Sequence, residues 1–153
     1  MTYGLVVLLG SLQRTSFQPF RVTVGYLEDS LPETDRDHVA EIAAALGVPI
    51  DFLRLPHNPL FIAQGHISPT TFAKFLLADS IPEPHLWIDA DTVALPGWDS
   101  IQDSILTCDE REGLVVAERG SIGSSRSQGL PFNAGVLGWP RGARRDWATP
   151  LAA

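Results

Sequence analysis

The stretch HLWIDADTVALPGW, His85 to Trp98, decides how the chain is read. It begins as an apolar run, Leu86, Trp87 and Ile88, and ends that run in two aspartates one residue apart, Asp89 and Asp91. Pro96 and Gly97 then turn the chain away. A short apolar run bounded by turn residues reads as a buried strand, here His85 to Asp89. Two carboxylates so close repel each other, so positive charge is expected between or beside them. Side chains at i and i+2 of an extended segment point to one side, which lets both face one cation. Hard oxygen ligands suit Mg2+ or Mn2+, which takes one or two protein carboxylates and completes its shell with phosphate and water. An ion so held bridges a diphosphate and neutralises charge on a leaving group. The triplet also has a plain reading, one aspartate capping the next turn and the other solvated.

Outward from this stretch, strand and helix patterns alternate. Phe20 to Leu27 sets Val22, Val24 and Tyr26 on one face at period two, a strand. Thr34 and Asp37 form a capping pair ahead of Val39, Ile42, Ala43 and Leu46 at helical spacing, with Gly47 as the stop. Pro49 to Leu55 reads as a second strand. Ser68 followed by Pro69 predicts a helix to about Asp79, with Phe72 and Leu76 on its buried side. Asp99 is expected to cap a helix running towards Cys108, and strands are expected over 114–118 and 133–139. Gly120 to Gly129 reads as a small, polar loop. Strands separated by helices favour an α/β sheet that is mostly parallel and flanked by helices. In such sheets ligands bind beyond the carboxyl ends of the strands, where Asp89 and Asp91 lie.

Composition bounds the function. With 153 residues, 44% of them hydrophobic, the chain suits one domain over 1–153 with a real core. No apolar run approaches the roughly 20 residues of a membrane helix. Leu5 to Gly10 lacks a basic flank and a cleavage site, so it reads as structure and not as a signal core. One cysteine, Cys108, excludes an internal disulfide framework, and a cytoplasmic protein is the default expectation. Eleven basic against 18 acidic residues give a net charge of −7, which disfavours nucleic acid as a partner. The basic cluster Arg141 to Arg145 reads as a solvated face.

Two segments taken together carry a family resemblance. The run from His66 to Ile101 passes from a His-Ile-Ser helix start, through an aromatic and a basic residue, to a strand ending in Asp-x-Asp, and Phe132 to Val136 reads FNAGV. In order and wording these motifs resemble the donor-binding core of family 8 glycosyltransferases, which include glycogenin and bacterial galactosyl- and glucosyltransferases. Tyr3 to Ser16 is similar to that family's first helix. The resemblance implies a GT-A fold, Rossmann-like, and retaining transfer of a sugar from a nucleotide donor, typically a uridine diphosphate sugar with Mn2+. It implies no clear enzyme nucleophile and leaves the acceptor open among carbohydrate, lipid-linked and protein. By resemblance Asp89 and Asp91 are the metal pair, Asp89 also reaches the ribose, and the Ala90 backbone lies beside it. Lys74 stands where a basic residue contacts sugar and phosphates, Asn133 and Ala134 would hold the donor sugar, and Tyr3 matches a nucleobase-stacking tyrosine.

The chain departs from the family in what it lacks. The family's first strand would precede residue 1, and its third metal ligand, a histidine, would follow FNAGV beyond Ala153. The expectation is an incomplete GT-A domain, short or truncated, that keeps the donor-binding core. Two other readings stand beside it. One is a remnant that binds a nucleotide sugar without turnover. The other takes DADTV as a haloacid dehalogenase-like phosphatase motif, although that family's lysine lies downstream and Lys74, the sole lysine, lies upstream. Each site residue also has an ordinary alternative: Lys74 as a solvated helix lysine, Asn133 as a turn former, His66 and His85 as structural histidines, Trp87 and Trp98 as core.

Overall fold

The computed structural model describes residues 2–28, 30–56, 69–108, 115–118 and 132–141; for 69, 115–118 and 132–134 it describes the backbone alone. Helix α1 spans Thr2–Thr15, β1 Val22–Tyr26, α2 Glu33–Leu46 and β2 Ile50–Arg54. A 3-10 turn over Pro69–Phe72 leads into α3, Ala73–Ser80. Strand β3 is His85–Ile88, α4 Ser100–Thr107, β4 Val115–Glu118 and β5 Phe132–Trp139.

Strands β1 and β2 pair in parallel, Val22 opposite Ile50 and Tyr26 opposite Arg54, with α2 as the crossover. Their alternation explains the layers. Val22, Val24, Ile50 and Phe52 face a core of Leu5 and Leu9 from α1 and Val39 and Ala43 from α2. Leu53 and Leu55, one residue out of phase, face Leu76 and Leu77 of α3. Gly25 lets α3 approach: a Cβ there would lie 3.0 Å from a methyl of Leu77.

Among the described residues, the expected parallel pairing holds for this pair alone. Strands β3, β5 and β4 form a second sheet in that order, and both of its pairings are antiparallel. The pattern of alternating strands and helices does not specify β5, whose direction is decided by how the chain returns beside β3.

Two helices join the sheets. Helix α3 packs Leu76 and Leu77 towards β2 and Ala78 towards Leu137 and Trp139 of β5. Helix α1 packs one stripe towards β1 and another, Leu8 and Leu12, towards Ile88 and Trp98. Between α1 and α3 lies a cleft of about 1360 Å3. Consecutive residues of both strands, Val22 to Tyr26 and His85 to Ile88, line it, so β1 and β3 present their edges and not their faces.

Helix ends show where local reading succeeds. Gly47 caps α2 in the left-handed region, φ +70, with its N–H directed at the carbonyls of Ala43 and Ala44. The start of α2 differs from the expected Thr34–Asp37 pair. Pro32 occupies the cap, its carbonyl accepts from the backbone N–H of Asp35 and Arg36, and no side-chain cap is made. Proline is already set at a helix-entry angle, and Glu33 and Asp35 place negative charge in the first turn. Asp99 stands at the cap position of α4, where its carbonyl accepts the N–H of Gln102 but its side chain makes no bond to its own helix. Its buried carboxylate instead accepts the backbone N–H of Phe17 at 2.7 Å, tying the end of α1 to the start of α4. Among the described residues no helix is long and apolar enough to cross a membrane. The 120–129 loop, Ser68 and most of the basic cluster lie outside the described residues.

Candidate functional site

The site forms where β3 runs out. Main-chain pairing with β5 continues one step past Ile88, the N–H of Asp89 donating to the carbonyl of Gly135 at 2.8 Å. The chain then turns, and the N–H of Thr92 donates back to the carbonyl of Asp89 at 3.1 Å. The expected extended backbone through Asp91 is therefore replaced by a turn over Asp89–Thr92. The i, i+2 argument that put both carboxylates on one side stops at Asp89, because a turn rotates the residues that follow out of strand alternation.

This turn is held from behind by α1. A Cβ on Gly4 would sit 2.8 Å from the carbonyl oxygen of Ala90, so the helix and the turn meet backbone to backbone. Tyr3, one residue earlier, is 84% exposed beside that contact. The next anchor is Ser11, whose buried hydroxyl donates to the carbonyl of Leu8 at 2.8 Å and accepts the N–H of Ala94 at 2.9 Å.

Opposite the turn, α3 supplies Lys74, 5% exposed. Its Nζ lies 3.8 Å from Oδ1 of Asp89 and 5.6 Å from the centre of the Trp87 ring. The indole Nε1 of Trp87 donates to the same Oδ1 at 2.6 Å. The positive charge expected beside the aspartates is thus present within the protein. Burying an ammonium group is tolerable here because a carboxylate and an aromatic face compensate it. The solvated-helix reading of Lys74 is overturned by its burial. Asp89 is partly exposed, and Asp91 is exposed in the turn.

Lys74, Trp87, Asp89, Ala90 and Asp91 all line the cleft. The backbone of Asn133 and Ala134 lies in β5 just before Gly135, the partner of Asp89. The structure therefore gathers the sequence-derived residues at one end of β3, with Tyr3 on the adjoining helix turn. Among the described residues no group of three or more His, Cys, Asp and Glu side chains forms a cation site. A two-carboxylate donor set still fits an ion that draws its remaining ligands from phosphate and water. His66 lies outside the described residues. His85 bonds the Glu83 carbonyl through Nδ1 at 2.8 Å and stacks on Trp139, a structural arrangement.

The sequence reading missed one residue at the site: Trp87, taken as core, also bonds the aspartate. The signal was its i, i+2 spacing to Asp89 on a strand. Trp98 is partly buried and packs against the core cluster of Leu8 and Leu12, edge-on to Phe20 at 5.6 Å.

No protein-family model matches the chain. No solved structure matches it either. Over 114 residues, 72% of the chain, it is 31% identical to a protein named glycosyltransferase GlyD from Streptococcus pneumoniae. The chain spans 13% of the length of that curated relative. It is a distant, partial homologue of a protein that carries the name of a glycosyltransferase.

Proposed function

We propose that this chain carries the donor-binding part of a metal-dependent glycosyltransferase of the family 8, GT-A kind. The nucleotide sugar, read as a uridine diphosphate sugar, lies at the carboxyl end of β3 over the mouth of the cleft. The observation that carries the reading is the buried ammonium of Lys74 held 3.8 Å from Asp89, the first carboxylate of the pair. A cation and two carboxylates at one strand end match the two sides of a bound diphosphate: lysine towards phosphate, aspartates towards a divalent ion. The similarity to GlyD supports sugar transfer as the class.

In this reading Asp89 and Asp91 hold Mn2+ or Mg2+, and Asp89 with the Ala90 backbone meets the ribose. An ion held by these two carboxylates would supply charge neutralisation for a departing diphosphate. Tyr3 offers its exposed ring to the base, and Asn133 and Ala134 contact the donor sugar. Transfer retains the anomeric configuration, and no enzyme nucleophile is assigned.

Calorimetric titration with uridine diphosphate, with and without Mn2+, tests the proposal. Binding that requires the metal is the expected result; a folded chain that binds in neither condition sinks it. Binding without any donor hydrolysis or transfer identifies a non-catalytic remnant. The Lys74–Asp89 contact also meets one requirement of the phosphatase reading, a lysine beside the first aspartate. Release of phosphate from a monoester would favour that alternative.

A further inference from the structure

We propose that Trp87 is a positioning residue, holding Asp89 so that it offers a cation one oxygen and not two. The inference rests on the reading of Asp89 as a metal ligand. Trp87 and Asp89 are two residues apart at the end of β3, and the indole N–H reaches Oδ1 at 2.6 Å. Lys74 approaches the same atom at 3.8 Å and lies over the indole ring at 5.6 Å, which closes a triangle of three side chains. The indole bond and the Lys74 approach both fall on Oδ1. The main chain of Asp89 is held as well, by the Gly135 carbonyl on one side and the Thr92 N–H on the other.

A carboxylate restrained at one oxygen and at its backbone has little freedom to rotate. With Oδ1 engaged, Oδ2 would be the oxygen left for a cation; gripping both oxygens would require it to displace the indole bond and to approach Lys74. One-oxygen ligation suits Mg2+ and Mn2+, which favour octahedral geometry, over larger cations that accept both oxygens of a carboxylate. Hydrogen bonds that orient a ligand typically account for about 10- to 100-fold in metal affinity. Trp87 also packs against two buried clusters, one containing Leu76 and Leu77 and the other Ala78 and Leu137, so its ring has a separate structural role.

Trp87→Phe separates the two roles, because it keeps an aromatic ring and removes the donor. Mn2+ affinity, measured calorimetrically in the presence of uridine diphosphate, is expected to fall about tenfold while the fold persists. Wild-type affinity in Trp87→Phe would overturn the proposal. Asp89→Asn, measured alongside, tests the underlying reading: if it binds Mn2+ like the wild type, or if the wild type binds none, the ligand role fails and the proposal with it. A metal-free readout covers the case in which Trp87→Phe does not fold. The indole N–H of Trp87 is expected to exchange slowly by NMR and to shift in Asp89→Asn. An indole signal indifferent to Asp89→Asn would refute the hydrogen bond on which the inference stands.

Discussion

Asp91 and Lys74 are the residues on which the proposed chemistry depends most directly, and they differ in structural cost. Asp91 is exposed in a turn, so Asp91→Asn keeps shape and loses charge with little effect on folding. Metal-dependent binding of uridine diphosphate is expected to fall at least tenfold, about 1.4 kcal/mol, with the thermal midpoint unchanged. Titration of folded protein checks this, and undiminished affinity would remove Asp91 from the metal site. Lys74 is buried, so Lys74→Ala removes packing as well as charge. Its effect on uridine diphosphate is expected to be about tenfold and larger than on uridine, since the lysine addresses phosphate. Equal losses for both ligands would mean that Lys74 serves the fold alone. Its lone place in the sequence marked it as noteworthy, yet its burial was not legible there. An isolated lysine on a helix looks the same whether its stem points to water or crosses towards a strand end.

Among the elements, α2 and α1 show opposite degrees of local control. The end of α2 is written in Gly47, because only a residue without a Cβ adopts φ +70 without strain. Gly47→Ala is expected to cost about 1 kcal/mol, the left-handed strain less what the unfolded chain loses in freedom. That lowers the midpoint by about 2–4 °C, measurable by calorimetric scanning. No shift would mean that the helix end has rearranged. Helix α1 is different: the sequence marks Leu5 to Gly10 as structure, but not what the helix touches on its two packed sides. Its contacts at Gly4 and Ser11 are with the Asp89–Thr92 turn and with Ala94, more than 80 residues away. No local signal marks a serine whose hydroxyl will satisfy a distant backbone N–H. The same holds for Asp99, which looked like a cap and serves a tertiary bond to Phe17. A carboxylate at a helix start has several N–H groups within reach, and folding decides which one it meets.

For the whole molecule, the central question is how two small sheets behave as one body. They share no described strand pairing, and their edges face each other across the cleft. Helices α1 and α3, each packed on both sheets, supply the connection. Leu77 lies at this junction, in contact with Gly25 and 5% exposed. Leu77→Ala is expected to cost about 2–5 kcal/mol by leaving a cavity between α3 and β1. If α3 couples the sheets, unfolding followed by far-ultraviolet circular dichroism and by tryptophan fluorescence coincides in the wild type. In Leu77→Ala the two transitions are expected to separate, because two of the four tryptophans, Trp87 and Trp139, lie in the second sheet. Coincident transitions in the variant would show that another contact carries the coupling.

What the sequence by itself determined is local: the strands around Val22–Tyr26 and His85–Ile88, the stop at Gly47, and the placing of an aspartate pair at a strand end. Periodicity and turn chemistry act over a few residues, so they are legible within a few residues. Only the tertiary structure decided the antiparallel direction of β5, the turn over Asp89–Thr92, and the triangle of Lys74, Trp87 and Asp89. Each of these depends on which distant backbone or side chain fills a valence that the local sequence leaves open. A buried hydrogen-bonding group or charge must find a partner, but its own neighbours in the chain do not say which.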